Sequence, residues 1–501
     1  MASSSHRSTA LVLGALSVLA AGTFLRFYRL QSIPEGLYHD EAFNGDDCLR
    51  NLDEGRLRVF YPDNAGREGL FINLETMSVF CFGNTSWALR LPSAILGTLT
   101  VLGVLLLGGE LFSWRAGLLA AFLTATSFWH IVLSRLAFRA IAAPVFLTFG
   151  CYVLLLGLRS AEVGRAYTGR IVLAGVLYGL GFHTYIAYRA TPFLVAAILI
   201  HHAAKLGHVG RRLVFWRASA LFCIAALIVV TPLLCYFLRQ PAGFAGRASQ
   251  ISVLHSPNPA REIVLNTWRT ARMFFVHGDR NWRQNYAYRA ELFWPVGLLF
   301  ALGVVTALLK PTFPHRFVLF WMVIGAAPAI LSNDSLPHAL RSILLVPASF
   351  ILAALGGLQV YRALAAHADR RLWGFPAAVV LALLAYEPYH TYFHRWAPRA
   401  EVAQAMEWDA TALARSINAL PKGQRKLVSV YGADVEGQLP AETAVIQYLT
   451  RSFTAKQEGD RNIVYIPIVG PPPCAGPSCC AVARFLPDGT VAFCIESHRG
   501  I

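Results

Sequence analysis

Charge is scarce in this chain: 14% of its 501 residues are Asp, Glu, Lys or Arg, against 55% hydrophobic, and its mean hydropathy is +0.48. That excludes a soluble protein of this length, which carries about a quarter of its residues charged. Acids are the rarer sign, 28 against 44 basic residues. The resulting charge of +16 needs no nucleic acid, because arginines flanking apolar segments face anionic lipid phosphates. No Gly-rich phosphate loop, H-E-x-x-H or nucleophile elbow occurs anywhere. The first apolar segment has no clear A-x-A cleavage site and runs straight into Arg26, Phe27, Tyr28 and Arg29, so it is expected to stay as a first span.

What remains is a succession of apolar runs, each about long enough to cross a ~30 Å hydrocarbon core. Eleven are expected, at 9–25, 91–109, 116–134, 140–158, 171–188, 190–204, 218–238, 292–309, 317–333, 342–361 and 372–386, with the sixth and eleventh the shortest. The chain therefore reads as an all-α polytopic membrane protein. Basic residues cluster at Arg159, Arg165 and Arg170, at Lys205, Arg211, Arg212 and Arg217, at Lys310 and Arg316, and at Arg362, Arg370 and Arg371. The positive-inside rule makes those loops cytoplasmic, together with the N-terminus. The loop around Asp40, the loop 239–291 and the tail after residue 386 then lie outside. One conflict stands: the loop 239–291 carries eight arginines. Either the rule yields there, or those arginines serve an anionic ligand outside. Arg261, Arg269 and Arg272 have the spacing of one face of an interfacial helix, with Ile263, Val264 and Trp268 in lipid.

Two domains follow: a transmembrane part, 1–395, with external loops 26–90 and 239–291, and an extracytoplasmic α/β part, 396–501. In the latter, 400–420 has helical spacing, 426–431 reads as a strand, 441–450 as a helix and 462–469 as an edge strand, since it contains Pro467. A hairpin turning at Pro487-Asp488-Gly489 closes it. With no catalytic motif, this part reads as a substrate-facing accessory. Cys474, Cys479, Cys480 and Cys494 crowd its end, where one or two disulfides fit an oxidising compartment and three connectivities are open. A zinc site there, with His498, is the alternative, although no C-x-x-C pair is present.

The chemistry is carried by two constellations. Tyr38-His39-Asp40-Glu41-Ala42 places adjacent carboxylates just outside the first span, where ionised groups near hydrocarbon are costly and functional by default. Against this stands the plain reading of a solvated acid pair at a helix end. The second constellation is basic. His130, Arg135 and Arg139, then His183, Tyr185, Tyr188 and Arg189, then Asn333, Asp334, His338 and Arg341 occupy three short outer turns. Snorkelling arginines explain many such positions, but Arg beside His or aromatic residues in all three turns suggests a cationic rim facing the Asp40 loop. The expected binding set is His39, Arg67, Arg135, Arg139, His183, Tyr185, Arg189, Asp279, His338 and Arg341, with Asp40 and Glu41 catalytic. A base beside a cationic, lipid-level rim suits group transfer from a lipid-linked phosphate to a hydroxyl. The carboxylate takes the acceptor proton while Arg and His neutralise the departing phosphate. A phosphate leaving group needs no general acid, so one carboxylate suffices.

The Tyr38–Ala42 stretch, Gly66-Arg67-Glu68-Gly69-Leu70-Phe71, Trp87-Ala88-Leu89-Arg90-Leu91-Pro92-Ser93, Ser134-Arg135 and Leu336-Pro337-His338-Ala339-Leu340-Arg341 resemble bacterial members of the protein O-mannosyltransferase superfamily, which includes the lipid A aminoarabinose transferase. The resemblance runs from the first span to the eleventh and is weakest in the tail. It implies the GT-C membrane fold with about eleven transmembrane helices, a polyprenyl-phosphate sugar donor, and inversion at the anomeric carbon. It also implies Asp40 as base, with Glu41 helping to hold the acceptor. The tail lacks the β-trefoil domain of eukaryotic protein mannosyltransferases, so the hydroxyl acceptor is a protein, lipid or glycan. No cofactor is called for, although a divalent metal ion assisting Asp40 stays open. The expected setting is the cell (inner) membrane, with the N-terminus cytoplasmic. Two other classes fit less well. A transporter would place polar groups mid-span, and a noncatalytic scaffold with a binding tail would need neither Asp40 nor the basic turns.

Overall fold

The computed structural model describes residues 2–205, 209–333, 336–367, 374–433, 439–469 and 484–496. Asp334, Cys474, Cys479, Cys480 and His498 lie outside them, and with them the disulfide and zinc expectations. The described chain is mostly helical and forms two compact units. One comprises Met1–Tyr28, Val59–Phe71 and Ser93–His394; the other comprises Arg29–Arg58, Ile72–Pro92 and Arg395–Ile501. The tail expected from residue 396 thus shares a unit with most of the first external loop.

The first unit is the membrane part. Among the described residues seven helices are long and apolar enough to cross a bilayer, and the bent pair Trp114–Ala125 and Phe128–Ser134 makes eight if it counts as one span. Thr168–Gly181 and Trp294–Leu309 are apolar but shorter, at 14 and 16 residues, and Gly374–His390 carries Glu387. All eleven expected segments overlap helices, but length and composition do not fix eleven crossings. Where spans meet closely, small residues allow it: a Cβ on Gly303 would overlap the Leu352 carbonyl oxygen.

The bend of 64° in the third span has a definite cause. Ser127 starts a new helix, its side chain accepting from the His130 backbone N–H at 3.3 Å. The break leaves carbonyls without helical partners, and the buried Arg26 guanidinium donates to Thr124 and Ala125 at 3.3 and 3.2 Å. Thr124, Thr126 and the N-cap Ser127 interrupt the apolar run at this point and are its local signal.

The long loop before Trp294 is structured. Pro259–Arg272 is a helix capped by Asn258, whose side chain accepts from the Arg261 N–H at 3.1 Å. Its inner face is polar: Asn266 donates to the Ile330 and Ser332 carbonyls at 3.1 and 2.8 Å. Val264 and Trp268 point outward, 68% and 64% exposed, which is the lipid-facing arrangement expected of an interfacial helix.

The second unit is α/β. Strands Lys426–Ala433, Ile463–Val469, Arg484–Phe485 and Val491–Glu496 form one sheet, in which Lys426–Ala433 pairs in parallel with both Ile463–Val469 and Val491–Glu496. Ile463–Val469 lies at the edge, as its proline demands. The helix expected over 400–420 is instead two, Ala400–Ala405 and Trp408–Ala419, separated at Glu407 with φ +50°. The first loop contributes the helix His39–Glu54 and is docked by Tyr448, whose ring leaves no room for a side chain at Gly45. Asp53 also accepts from the Gln457 side chain at 2.6 Å.

Candidate active site

Within the second unit, Asp40 stands in the first turn of the helix His39–Glu54, half-buried, at the end where the helix dipole favours negative charge. The turn is built by its neighbour. Glu41 is fully buried and accepts from the Tyr38 backbone N–H at 3.2 Å in a capping box. Its two oxygens take Arg90 Nε and Nη2 at 2.9 and 2.8 Å. Arg90, equally buried, spends its remaining donors on the Pro34 and Gly36 carbonyls at 2.9 and 2.8 Å. Such a bidentate, doubly buried pair fixes a loop with little freedom left. Glu41 is therefore committed inside the protein, against the expectation that it holds an acceptor.

His39 turns the other way, its Nδ1 meeting Glu407 Oε1. Burial works against charge on His39, but the hydrogen bond and charge of Glu407, with Asp40 and Glu442, outweigh it and raise the imidazole above its usual range. Burial likewise raises Glu407, against His39. Between them the two side chains hold a proton tightly.

Within the first unit, the basic turns converge on an acid that the sequence did not single out. Glu68, buried on the short strand Arg67–Glu68, accepts from Arg139 Nε at 3.2 Å and from Arg189 Nη2 at 3.4 Å. Arg139 also donates to the Gly66 carbonyl at 3.2 Å and lies over the Tyr185 ring, 5.7 Å from its centroid. Arg189 donates to the Phe244 carbonyl at 2.7 Å and stacks on Phe244 and Phe237 at 4.4 and 5.2 Å. Leu70 N–H reaches the His183 carbonyl at 3.2 Å, while the His183 ring contacts the Val229 carbonyl at 2.9 Å. Arg139, His183, Tyr185 and Arg189 thus gather near Glu68. Two guanidinium groups on one carboxylate leave one net positive charge, half-buried. Arg67 itself is buried, its Nε donating to the Asp63 carbonyl at 3.3 Å.

The other expected rim members do not join them. Arg135 is fully buried, donating to the Leu25 and Arg26 carbonyls at 3.1 and 2.9 Å and lying over the rings of Tyr392 and Phe393. It closes the end of the first span, where free carbonyls need a donor. Asp279 is buried and accepts from the backbone N–H groups of Asn281 and Ala339, both at 2.8 Å. Burial pushes its carboxyl up to about 6 against those bonds. His338 lies 3.7 Å from it, and Arg341 donates to Ser332 Oγ. Asp279, His338 and Arg341 accordingly form a second cluster that braces the turn 336–341. Among the described residues no group of three or more His, Cys, Asp or Glu is arranged to hold a metal ion, so no residue set for a divalent ion accompanies Asp40.

With several candidate spans and a small strand-containing C-terminal region, this mostly helical chain has the GT-C fold. Residues 72–236 match the family model of dolichyl-phosphate-mannose-protein mannosyltransferases, a segment that contains Arg90, Arg139, His183 and Arg189 but begins after Asp40. The structure is similar to the archaeal oligosaccharyltransferase AglB from Archaeoglobus fulgidus in complex with an inhibitory peptide and a dolichol-phosphate, at 15% identity and TM-score 0.53 over 93% of this chain. It spans only 65% of that protein's length. It is also similar to ArnT from Cupriavidus metallidurans, at 14% identity in both states. The undecaprenyl phosphate complex gives TM-score 0.55 over 92% of this chain and 90% of that one, and the apo state 0.57 over 91% and 89%. No curated protein sequence matches. The resemblance to the protein O-mannosyltransferase and aminoarabinose transferase superfamily is thereby borne out at the level of fold.

Proposed function

We propose that the protein is a membrane glycosyltransferase that moves a sugar from a polyprenyl-phosphate donor to a hydroxyl acceptor, with inversion and with Asp40 as base. The observation that carries the reading is the placement of Asp40: half-buried in a helix first turn that the Glu41–Arg90 pair pins in place. Positional rigidity of that kind is what a general base needs. Asp40 takes the proton of the acceptor hydroxyl as its oxygen forms the new bond to the anomeric carbon. The bond from that carbon to the phosphate oxygen breaks, and the phosphate leaves with the electron pair. A guanidinium fork matches the oxygens of a leaving phosphate better than an ammonium does, and within the first unit Arg139 and Arg189 carry one net positive charge over Glu68. Glu41 is a positioning residue. The lipid phosphates bound in the ArnT and AglB complexes support such a donor, and the peptide bound to AglB supports a protein among the acceptors. The exposed arginines and Trp268 of Pro259–Arg272 fit a helix lying in the lipid interface beside the donor. The reaction is placed on the extracytoplasmic face of the cell membrane, with residues 396–501 on that side.

The test is transfer by the purified, reconstituted protein from polyprenyl-phosphate sugars. Asp40→Asn is expected to lower the rate by ~10²–10⁴-fold, the usual worth of a general base, while inserting and folding as the wild type does. Transfer at the wild-type rate by that variant would remove Asp40 as base. Transfer by neither protein would favour a transporter or a scaffold.

A further inference from the structure

We propose that Glu407 is a positioning residue for the transfer reaction: from the C-terminal part of the chain it holds His39 next to Asp40 and so fixes both the shape and the charge beside the base. The inference rests on the assignment of Asp40 above.

Three observations meet at this point. First, Glu407 Oε1 contacts His39 Nδ1, and the second carboxylate oxygen, buried, has no hydrogen-bond partner among the described residues. Second, Glu407 has a left-handed backbone, φ +50°, where apolar spacing favours one continuous helix over 400–420. A non-glycine residue is strained in that region, and the break turns the Glu407 carboxylate toward His39. Third, the preceding residue docks on the same loop. A Cβ at Gly36, φ +88°, would overlap the Met406 carbonyl oxygen, so only glycine lets the loop lie that close. Residues 406–407 therefore meet the catalytic loop at two places, Gly36 and His39.

The charged groups facing His39 are Glu407, Asp40 and Glu442, all acidic, and its ring is flanked by Tyr38 at 3.9 Å and Phe43 at 6.1 Å. This setting favours the cationic form of the imidazole, one residue from Asp40. A lipid phosphate approaching a carboxylate base meets repulsion, and a fixed imidazolium offsets it. His39 is raised in the folded protein, so the ion pair is fully present below its ordinary range near 6.5 and is lost as the pH rises through the higher folded value. Rate should fall on that alkaline limb.

The experiment measures kcat/KM against pH for the full-length protein in vesicles, with a polyprenyl-phosphate sugar as donor. Glu407→Gln keeps the shape and removes the charge. It is expected to move the alkaline limb to lower pH, so that kcat/KM is lost at pH 8 and recovers at pH 6, with Glu407→Asp restoring part of it. His39→Asn should erase the limb. An equal loss for Glu407→Gln at pH 6 and pH 8, or none at either, would make Glu407 a plain structural staple and overturn the inference. If Glu407→Gln fails to fold, the His39→Asn profile decides, and an unmoved limb overturns it. An active Asp40→Asn alongside a shifted limb in Glu407→Gln would instead sink the base assignment and leave the pair standing.

Discussion

Arg90 shows what a single residue can do at a site it never touches chemically. It occupies an apolar-flanked position in Trp87–Ser93, yet its Nε, Nη1 and Nη2 donate to Glu41, Pro34 and Gly36. Removing one partner of a buried ion pair leaves the other desolvated and unmatched, at a cost of about 3–5 kcal/mol. Arg90→Met should therefore lower the thermal inactivation temperature of the detergent-solubilised protein sharply, and activity should go with it. Combining it with Glu41→Leu removes the stranded charge and should recover much of the stability without recovering transfer, because the Tyr38 cap is still missing. If the double variant is no more stable than Arg90→Met, the pair is not what holds the loop. Asp40 and Glu41 were legible from the sequence because adjacent acids outside a span are conspicuous. Their separation into a half-buried acid, the proposed base, and a buried staple was not, since the partner of Glu41 lies 49 positions away and pairing at that distance leaves no periodic trace.

Among elements, the ones that sequence located best are those whose apolar pattern is long. The spans, the interfacial helix Pro259–Arg272 and the edge strand Ile463–Val469 fall where hydrophobic spacing places them. The breaks left little trace for a physical reason. At Ala125–Phe128 only Thr126 and Ser127 interrupt a long apolar run, and the arginine that satisfies the freed carbonyls comes from about a hundred positions away; at Glu407 the helical pattern continues through a left-handed residue. The helix Gly69–Phe82 escaped for being 14 residues long and carrying Glu75. Just before it, the short strand Arg67–Glu68 delivers Glu68 to Arg139 and Arg189, and this arrangement is testable. Without the shared carboxylate the two guanidinium groups repel and lose a common anchor. Glu68→Gln should raise the apparent KM for the lipid donor about tenfold, on the scale of one lost charge-assisted hydrogen bond. Donor titrations on the reconstituted variant give the answer, and an unchanged KM with a lowered kcat would place the clamp elsewhere in the cycle.

For the whole molecule, the unsettled matter in the sequence was the loop 239–291, whose eight arginines oppose translocation. Folding spends several of them locally. Arg269 pairs with Glu262 at 3.7 Å, Arg283 donates to Asn281 Oδ1 at 3.2 Å, and Arg289 pairs with Glu387 at 2.6 Å while lying over the Phe128 and Phe293 rings. A loop folded into two helices, Pro241–Gln250 and Pro259–Arg272, is also a poorer example of the short flexible segments to which the positive-inside rule applies. The exposed clusters at Arg159–Arg170, Lys205–Arg217 and Lys310–Arg316 are then expected to set the orientation. Single cysteines at the exposed Lys422 and at Asp279's neighbour Arg280 should react with a membrane-impermeant maleimide in intact cells, whereas cysteines at Arg165 and Lys310 should react only after permeabilisation. Labelling of Lys422→Cys that requires permeabilisation would put the α/β unit in the cytoplasm. Because that unit carries Asp40 and Glu407 together, such a result would move the proposed base to the cytoplasmic side, and with it the face of the membrane on which any lipid-linked sugar is consumed.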